Sequence, residues 1–211
     1  TTRFRKKIAL AAQIIIGDFN LPDIIALQEI ENRNVLETIA TEVKKGADPY
    51  YRSVIVEGND VSGINIAFLV GPEIEIKTVK QLFANKKLEL DNSPLFSRPP
   101  LYLEVCIQIS CFSLLNLHLR SMRGIRDPTS SHRVSQKRLQ QASMIARWVD
   151  HFQESRPRDS LMILGDFNAL TPADRYVDVI GTVIGKPDNT NSALKARDWV
   201  KTDLTDLTRK I

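Results

Sequence analysis

A chain of 211 residues, 43% hydrophobic and 26% charged, has material for one substantial core, too little for two, and the wrong balance for disorder. Its 29 Lys and Arg against 25 Asp and Glu give a net charge of +4, a sign that favours phosphate-bearing partners. No apolar run approaches the ~20 residues of a membrane span. Two cysteines make no disulfide framework, and three histidines without a CxxC pair leave no thiolate zinc site.

Phe4, Ile8, Ala11, Ala12 and Ile15 recur at helical spacing, which predicts a helix over 3–16 capped by Gly17. The Gly-Asp-Phe-Asn at 17–20 is then a helix end and a connecting loop. Residues 23–28 form a short apolar run, the pattern of a buried strand. A helical period returns over 34–44. Strands are predicted at 51–57, 63–70 and 73–82, with Gly71 and Pro72 turning between the last two. The stretch 101–109 alternates, with Leu101, Leu103, Val105, Ile107 and Ile109 on one face. Residues 110–119 follow directly, and a turn there can bring Cys106 near Cys111. From 134 to 153 Leu139, Ala142, Ile145, Ala146, Val149 and Phe152 form a helical stripe. Residues 160–165 read as another buried strand, and Thr171-Pro172 as the start of a helix running to about Ile180.

The central strands lack crossover helices, which excludes a doubly wound parallel sheet. The predicted fold is α/β (α+β): a four-layer sandwich of two packed, mostly antiparallel or mixed sheets with helices on the outer faces, one domain over 1–211.

Three places carry chemistry. Glu29 ends the apolar run in Leu-Gln-Glu, and a strand-end carboxylate suits a hard cation, although most such residues are simply solvated. In Gly165-Asp166-Phe167-Asn168, extended alternation puts Asp166 and Asn168 on the same side, a carboxylate beside an amide that can hold water and a phosphoryl oxygen. In Asn-Leu-His-Leu-Arg-Ser at 116–121, Asn116, His118 and Arg120 share a face, and a histidine there can donate to phosphate or protonate a leaving oxygen. Behind it lie Arg123, Arg126, Arg133, Lys137 and Arg138, opposed only by Asp127: either a phosphate-attracting cluster or a solvated face.

These three motifs, in this order and with a basic helix before the last, resemble the endonuclease/exonuclease/phosphatase superfamily from the first helix to about residue 207. Residues 59–70, 96–101 and 136–149 look most like bacterial, often secreted, nuclease-like members. The resemblance implies a divalent-metal phosphodiesterase, most simply a nuclease. Glu29 would be the ligand of Mg2+ (or Mn2+ or Ca2+), Asp166 would position the attacking water, Asn168 would hold nucleophile and phosphate, and His118 would contact the phosphate. Arg120 replaces a lysine common in the family and, with Arg123 and Arg126, would bind substrate. Asn65 and Asp60 fall where members carry polar residues near the site. Members also begin with an asparagine-bearing strand and end in a Ser-Asp-His motif. This chain has neither, so the expectation is a chain truncated at both ends and poorly active alone. The rival readings are a phosphatase or phospholipase on inositol-phosphate or lipid phosphoesters, and a non-catalytic binding module. A monomer is expected, and the compartment, secreted or cytoplasmic, is left open.

Overall fold

The computed structural model describes residues 2–48, 50–169 and 175–207. The chain divides into two compact units, one of 1–84, 98–118 and 160–165, the other of 85–97, 119–159 and 166–211.

In the first unit, α1 (Thr2–Gln13) turns Ile8 and Ala12 inward. It does not stop at Gly17 but widens into a π-turn, Ile14–Asp18, closed by the Phe19 amide donating to Ile14. The wider turn buries Ile15 and leaves Asp18 and Phe19 exposed, so 17–20 is a helix end and no strand. β1 (Ile24–Ile30) and β2 (Arg52–Ile55) flank β3 (Asn65–Val70), antiparallel on both sides. As the central strand, β3 is buried at every position, which explains its unbroken apolar sequence after Asn65. Between β1 and β2 comes α2 (Arg33–Gly46), capped where the Asn32 side chain accepts from the Val35 amide. Its Leu36, Ile39, Ala40 and Val43 join α1 and one face of the sheet in a single core.

The other face of that sheet, through Val54, Ile66, Phe68 and Val70, packs on Leu101, Leu103, Val105 and Leu114 of a second sheet. Its order is β4 (Glu75–Gln81), β5 (Leu101–Ile107), β6 (Ser110–His118) and β7 (Ser160–Asp166), the first three antiparallel. Two sheets face to face, with α1 and α2 packed outside the first of them, match the predicted sandwich. The β5 alternation stops short of its predicted end, because Gln108 turns at φ +54 and leaves Ile109 on the exposed tip. That turn pairs Cys106 with Cys111 in register, and the two form a disulfide.

The second unit is built on α3 (Ser131–Ser155), which packs against α4 (Val179–Ile184). Residues 175–178 are not helical, and the Asp178 carboxylate caps α4 by accepting from the Gly181 amide. The helix predicted to end near Ile180 therefore begins there; Thr171 and Pro172 lie outside the described residues.

Gly165 in β7 has φ +121, and a Cβ on it would sit 2.1 Å from the Leu117 carbonyl oxygen and 2.8 Å from Asn116 Oδ1. Backbone strain and overpacking combine, so Gly165→Ala is expected to cost about 2–5 kcal/mol of stability. Urea denaturation checks this, and a loss under about 1 kcal/mol contradicts the close approach.

Candidate active site

The carboxyl end of β1 does not run out as a plain strand. Its register with β3 slips between Leu27 and Ile30, and Glu29 takes φ +61, in the left-handed region. A bulge of this kind re-aims a side chain; Glu29 stands exposed while Ile30 returns to the core. Two buried amides fix the bulge. Asn116 Nδ2 donates to Leu27 O (3.3 Å) and Ala67 O (3.0 Å), and its Oδ1 accepts from Gln28 Nε2 (2.9 Å). Asn65 Nδ2 donates to Glu31 O (3.2 Å) and Gly63 O (2.9 Å), while its Oδ1 accepts from the Gly58 amide (2.8 Å). With both amide protons engaged by backbone, Asn65 holds the site edge in place.

His118 closes β6, two residues beyond Asn116, and is buried. Asp60 lies within its field. Burial works against the Asp60 charge, but the Ser62 hydroxyl and amide and the electrostatic influence of Arg98 and His118 outweigh it, holding the carboxyl below its ordinary range. Arg98 meets Asp60 at 2.9 Å, with both side chains largely covered. Gln28 and Arg98 carry no sequence signal of their own. Only the three-dimensional pairing marks them.

In the second unit, the Leu119 amide donates to Asp166 O (2.9 Å), the Asn168 amide to Asp166 Oδ1 (2.8 Å), and Asn168 Nδ2 to Leu119 O (3.1 Å). Asn168 has φ +49, so 166–168 is a tight turn. Asp166 and Asn168 are brought together by a hydrogen bond and not by the extended alternation expected from sequence. Arg138, almost wholly buried in α3, donates through Nη1 to Arg120 O (2.7 Å) and Asn168 O (2.8 Å), and Gln141 Oε1 accepts from the Arg120 amide (2.8 Å).

These contacts divide the basic cluster. Lys137 is buried and donates to Pro94 O, Arg133 pairs with Asp91, and the Arg120 guanidinium bonds Arg123 O and Ser121 Oγ. Arg123 and Arg126 remain exposed, with no side-chain hydrogen bond or ion pair among the described residues. The cluster is thus half structural and half available charge.

Among the described residues no three or more His, Cys, Asp or Glu side chains form a ligand cage. Magnesium does not require one, since it takes one or two carboxylates and keeps several waters. The exposed carboxylate of Glu29, on a backbone fixed by Asn116, fits that donor chemistry.

The lowered Asp60 pKa has a signed consequence. A carboxyl depressed below its ordinary 3.8 contributes stability that is present above that value and lost as pH falls through the lower, folded one. Asp60→Asn should therefore flatten the acid side of a thermal-stability profile below about pH 4. Arg98→Leu, which removes the ion-pair partner but leaves the Ser62 bonds, should cost about 1–3 kcal/mol at neutral pH. Melting curves from pH 2 to 7 that coincide for Asp60→Asn and the parent chain contradict this.

The model of the endonuclease/exonuclease/phosphatase family matches residues 1–195. No curated protein matches the chain. Among solved structures, truncated TDP2 of Caenorhabditis elegans is 20% identical, covering 78% of this chain and 56% of that one at TM-score 0.55. The catalytic domain of human nocturnin with bound sulfate is 14% identical, covering 82% and 59% at TM-score 0.57. A variant of Staphylococcus aureus beta toxin with bound magnesium ions is 16% identical, covering 85% and 61% at TM-score 0.58. Likenesses this distant show the fold alone, and the chain spans about three-fifths of each of these relatives. The sandwich, the motifs at 29, 118 and 166–168 and the family match over residues 1–195 lead to one conclusion: the chain belongs to the endonuclease/exonuclease/phosphatase family.

Proposed function

We propose that the protein is a divalent-metal-dependent phosphodiesterase acting on nucleic acid as a monomer. The observation that carries the reading is the β1 bulge. A left-handed glutamate costs about 1–3 kcal/mol, yet buried amides hold it there, with its carboxylate in solvent. Strain maintained at an exposed carboxylate suits chemistry better than packing.

In this reading Glu29 would hold Mg2+, which when bound would supply charge neutralisation at the phosphoryl group. Asp166 orients the attacking water and takes its proton, and the Asn168 amide side chain fixes nucleophile and phosphate. His118 hydrogen-bonds a non-bridging oxygen, with Asp60 and Arg98 setting its electrostatic surroundings. As water attacks phosphorus, the bond to the leaving oxygen breaks and a proton returns to that oxygen. Arg123 and Arg126, exposed and without an ion pair among the described residues, draw in a polyanionic substrate, and Arg120 shapes their loop. That charge supports nucleic acid over a small phosphoester. No described helix is long and apolar enough to cross a membrane. The magnesium in beta toxin, a fold relative, agrees with the choice of metal.

The test is metal-dependent hydrolysis of plasmid DNA beside sphingomyelin and inositol polyphosphates by this chain. DNA should be cut, and Asp166→Ala should lower the rate by about 10²–10⁴-fold. Glu29→Ala should raise the magnesium concentration needed for half-maximal rate, and calorimetry should show weak magnesium binding that this substitution removes. Preferential hydrolysis of a lipid or inositol phosphate would move the assignment to a phospholipase or phosphatase. Inactivity on every substrate would leave a binding module.

A further inference from the structure

On the second unit, two guanidiniums lie over one indole. Arg147 Cζ is 4.0 Å from the Trp199 ring centroid and Arg197 Cζ is 4.3 Å from it. Both arginines are exposed, and neither has a hydrogen bond or ion pair among the described residues. The acidic side chains of this region are engaged elsewhere. Asp150 and Glu154, on α3 like Arg147, hold Lys201, and the Asp198 carboxylate accepts from the Val200 amide. The Trp199 indole nitrogen is buried and finds no acceptor among the described residues.

Stacking holds each guanidinium flat and leaves its N–H edge to an outside acceptor. Two like charges fixed over one ring also repel, and an anion reaching both relieves that repulsion. Phosphate oxygens match a guanidinium edge in bidentate geometry, and a strand with successive phosphates can satisfy both arginines together. We propose that Arg147, Trp199 and Arg197 form a docking site for the phosphodiester backbone of a nucleic-acid strand, made of residues other than those assigned to the chemistry. A membrane surface is the poorer occupant. A tryptophan that enters lipid needs an uncovered ring, and here two guanidiniums lie over it. The identity of the strand rests on the nuclease reading; the test reads binding without cleavage, so the two fail separately.

The experiment is fluorescence anisotropy of a labelled single-stranded oligonucleotide titrated with the 211-residue chain, in EDTA, from low to physiological salt. The double substitution Arg147→Gln, Arg197→Gln should weaken binding about tenfold at low salt and reduce the salt slope by about 1.4, the value for two phosphates on a single strand. Arg158→Gln, at an exposed arginine outside the stack, should change affinity by less than about twofold. The double Lys variant keeps the charge but loses the planar stack, and should recover only part of the affinity. Unchanged affinity in the double Gln variant overturns the proposal, and so does an equal loss with Arg158→Gln. Binding to phosphatidylserine vesicles that the double substitution abolishes, with oligonucleotide affinity intact, assigns the surface to membranes instead. If the double variant fails to fold, the single variants, expected to lose about threefold each, decide the matter.

Discussion

The buried amide of Asn116 is the contact on which the first unit's arrangement depends. It belongs to the second sheet, yet its protons go to the main chain of β1 and β3 in the first, and its oxygen receives Gln28. Apolar faces can slide over one another with little change in area buried, because hydrophobic attraction has no direction. An amide with three directed partners cannot slide. Removing it would leave buried carbonyls and a side-chain amide unsatisfied, each at about 1–3 kcal/mol, so it fixes the sheet register that packing alone leaves loose. Gly165 belongs to the same constraint, for only a residue without a side chain lets β7 come so close to Asn116.

The second unit uses a different solution to a similar problem. The loops at 119–120 and 166–168 have no strand partners to define them, and irregular backbone needs its polar groups satisfied. Arg138 and Gln141, one helical turn apart on α3, reach across to carbonyls and an amide of these loops. A buried guanidinium is expensive to desolvate, but its donors are fixed in a plane and can tie two segments together. The helix thereby acts as a rigid ruler for the turn that carries Asp166 and Asn168.

The fold was legible in the sequence because its main signals are periodic. The stripe on α3, the unbroken apolar run of β3 and the alternation of β5 each follow from which faces are covered. The positions 29, 118, 166 and 168 were singled out for another reason: polar residues at the ends of apolar strands stand out. Events at a distance were not legible. The bulge at Glu29 depends on Asn116, 87 positions away, and no local preference announces it. The turn at Asn168 replaces the expected extended chain because Leu119 and Arg138 supply partners the local sequence does not contain. The same blindness made Lys137 and Arg138 look like free charge. Sequence counts cations, whereas their availability depends on which carbonyls lie nearby. The helix predicted to run to about Ile180 belongs here too, since residues 175–178 are not helical and Asp178 caps a helix that starts at Val179.

The left-handed backbone at Glu29 has an evolutionary consequence. Glycine or asparagine would occupy that conformation with less strain, so stability and the carboxylate pull this position in opposite directions. Mutation alone would carry it toward the easier backbone, and only a continuing need for the carboxylate would return it. Position 29 is therefore a natural gauge of selection. Descendants released from whatever the carboxylate does should gain stability by losing it, and their lineages should drift to glycine there before the motifs at 118 or 166–168 begin to decay.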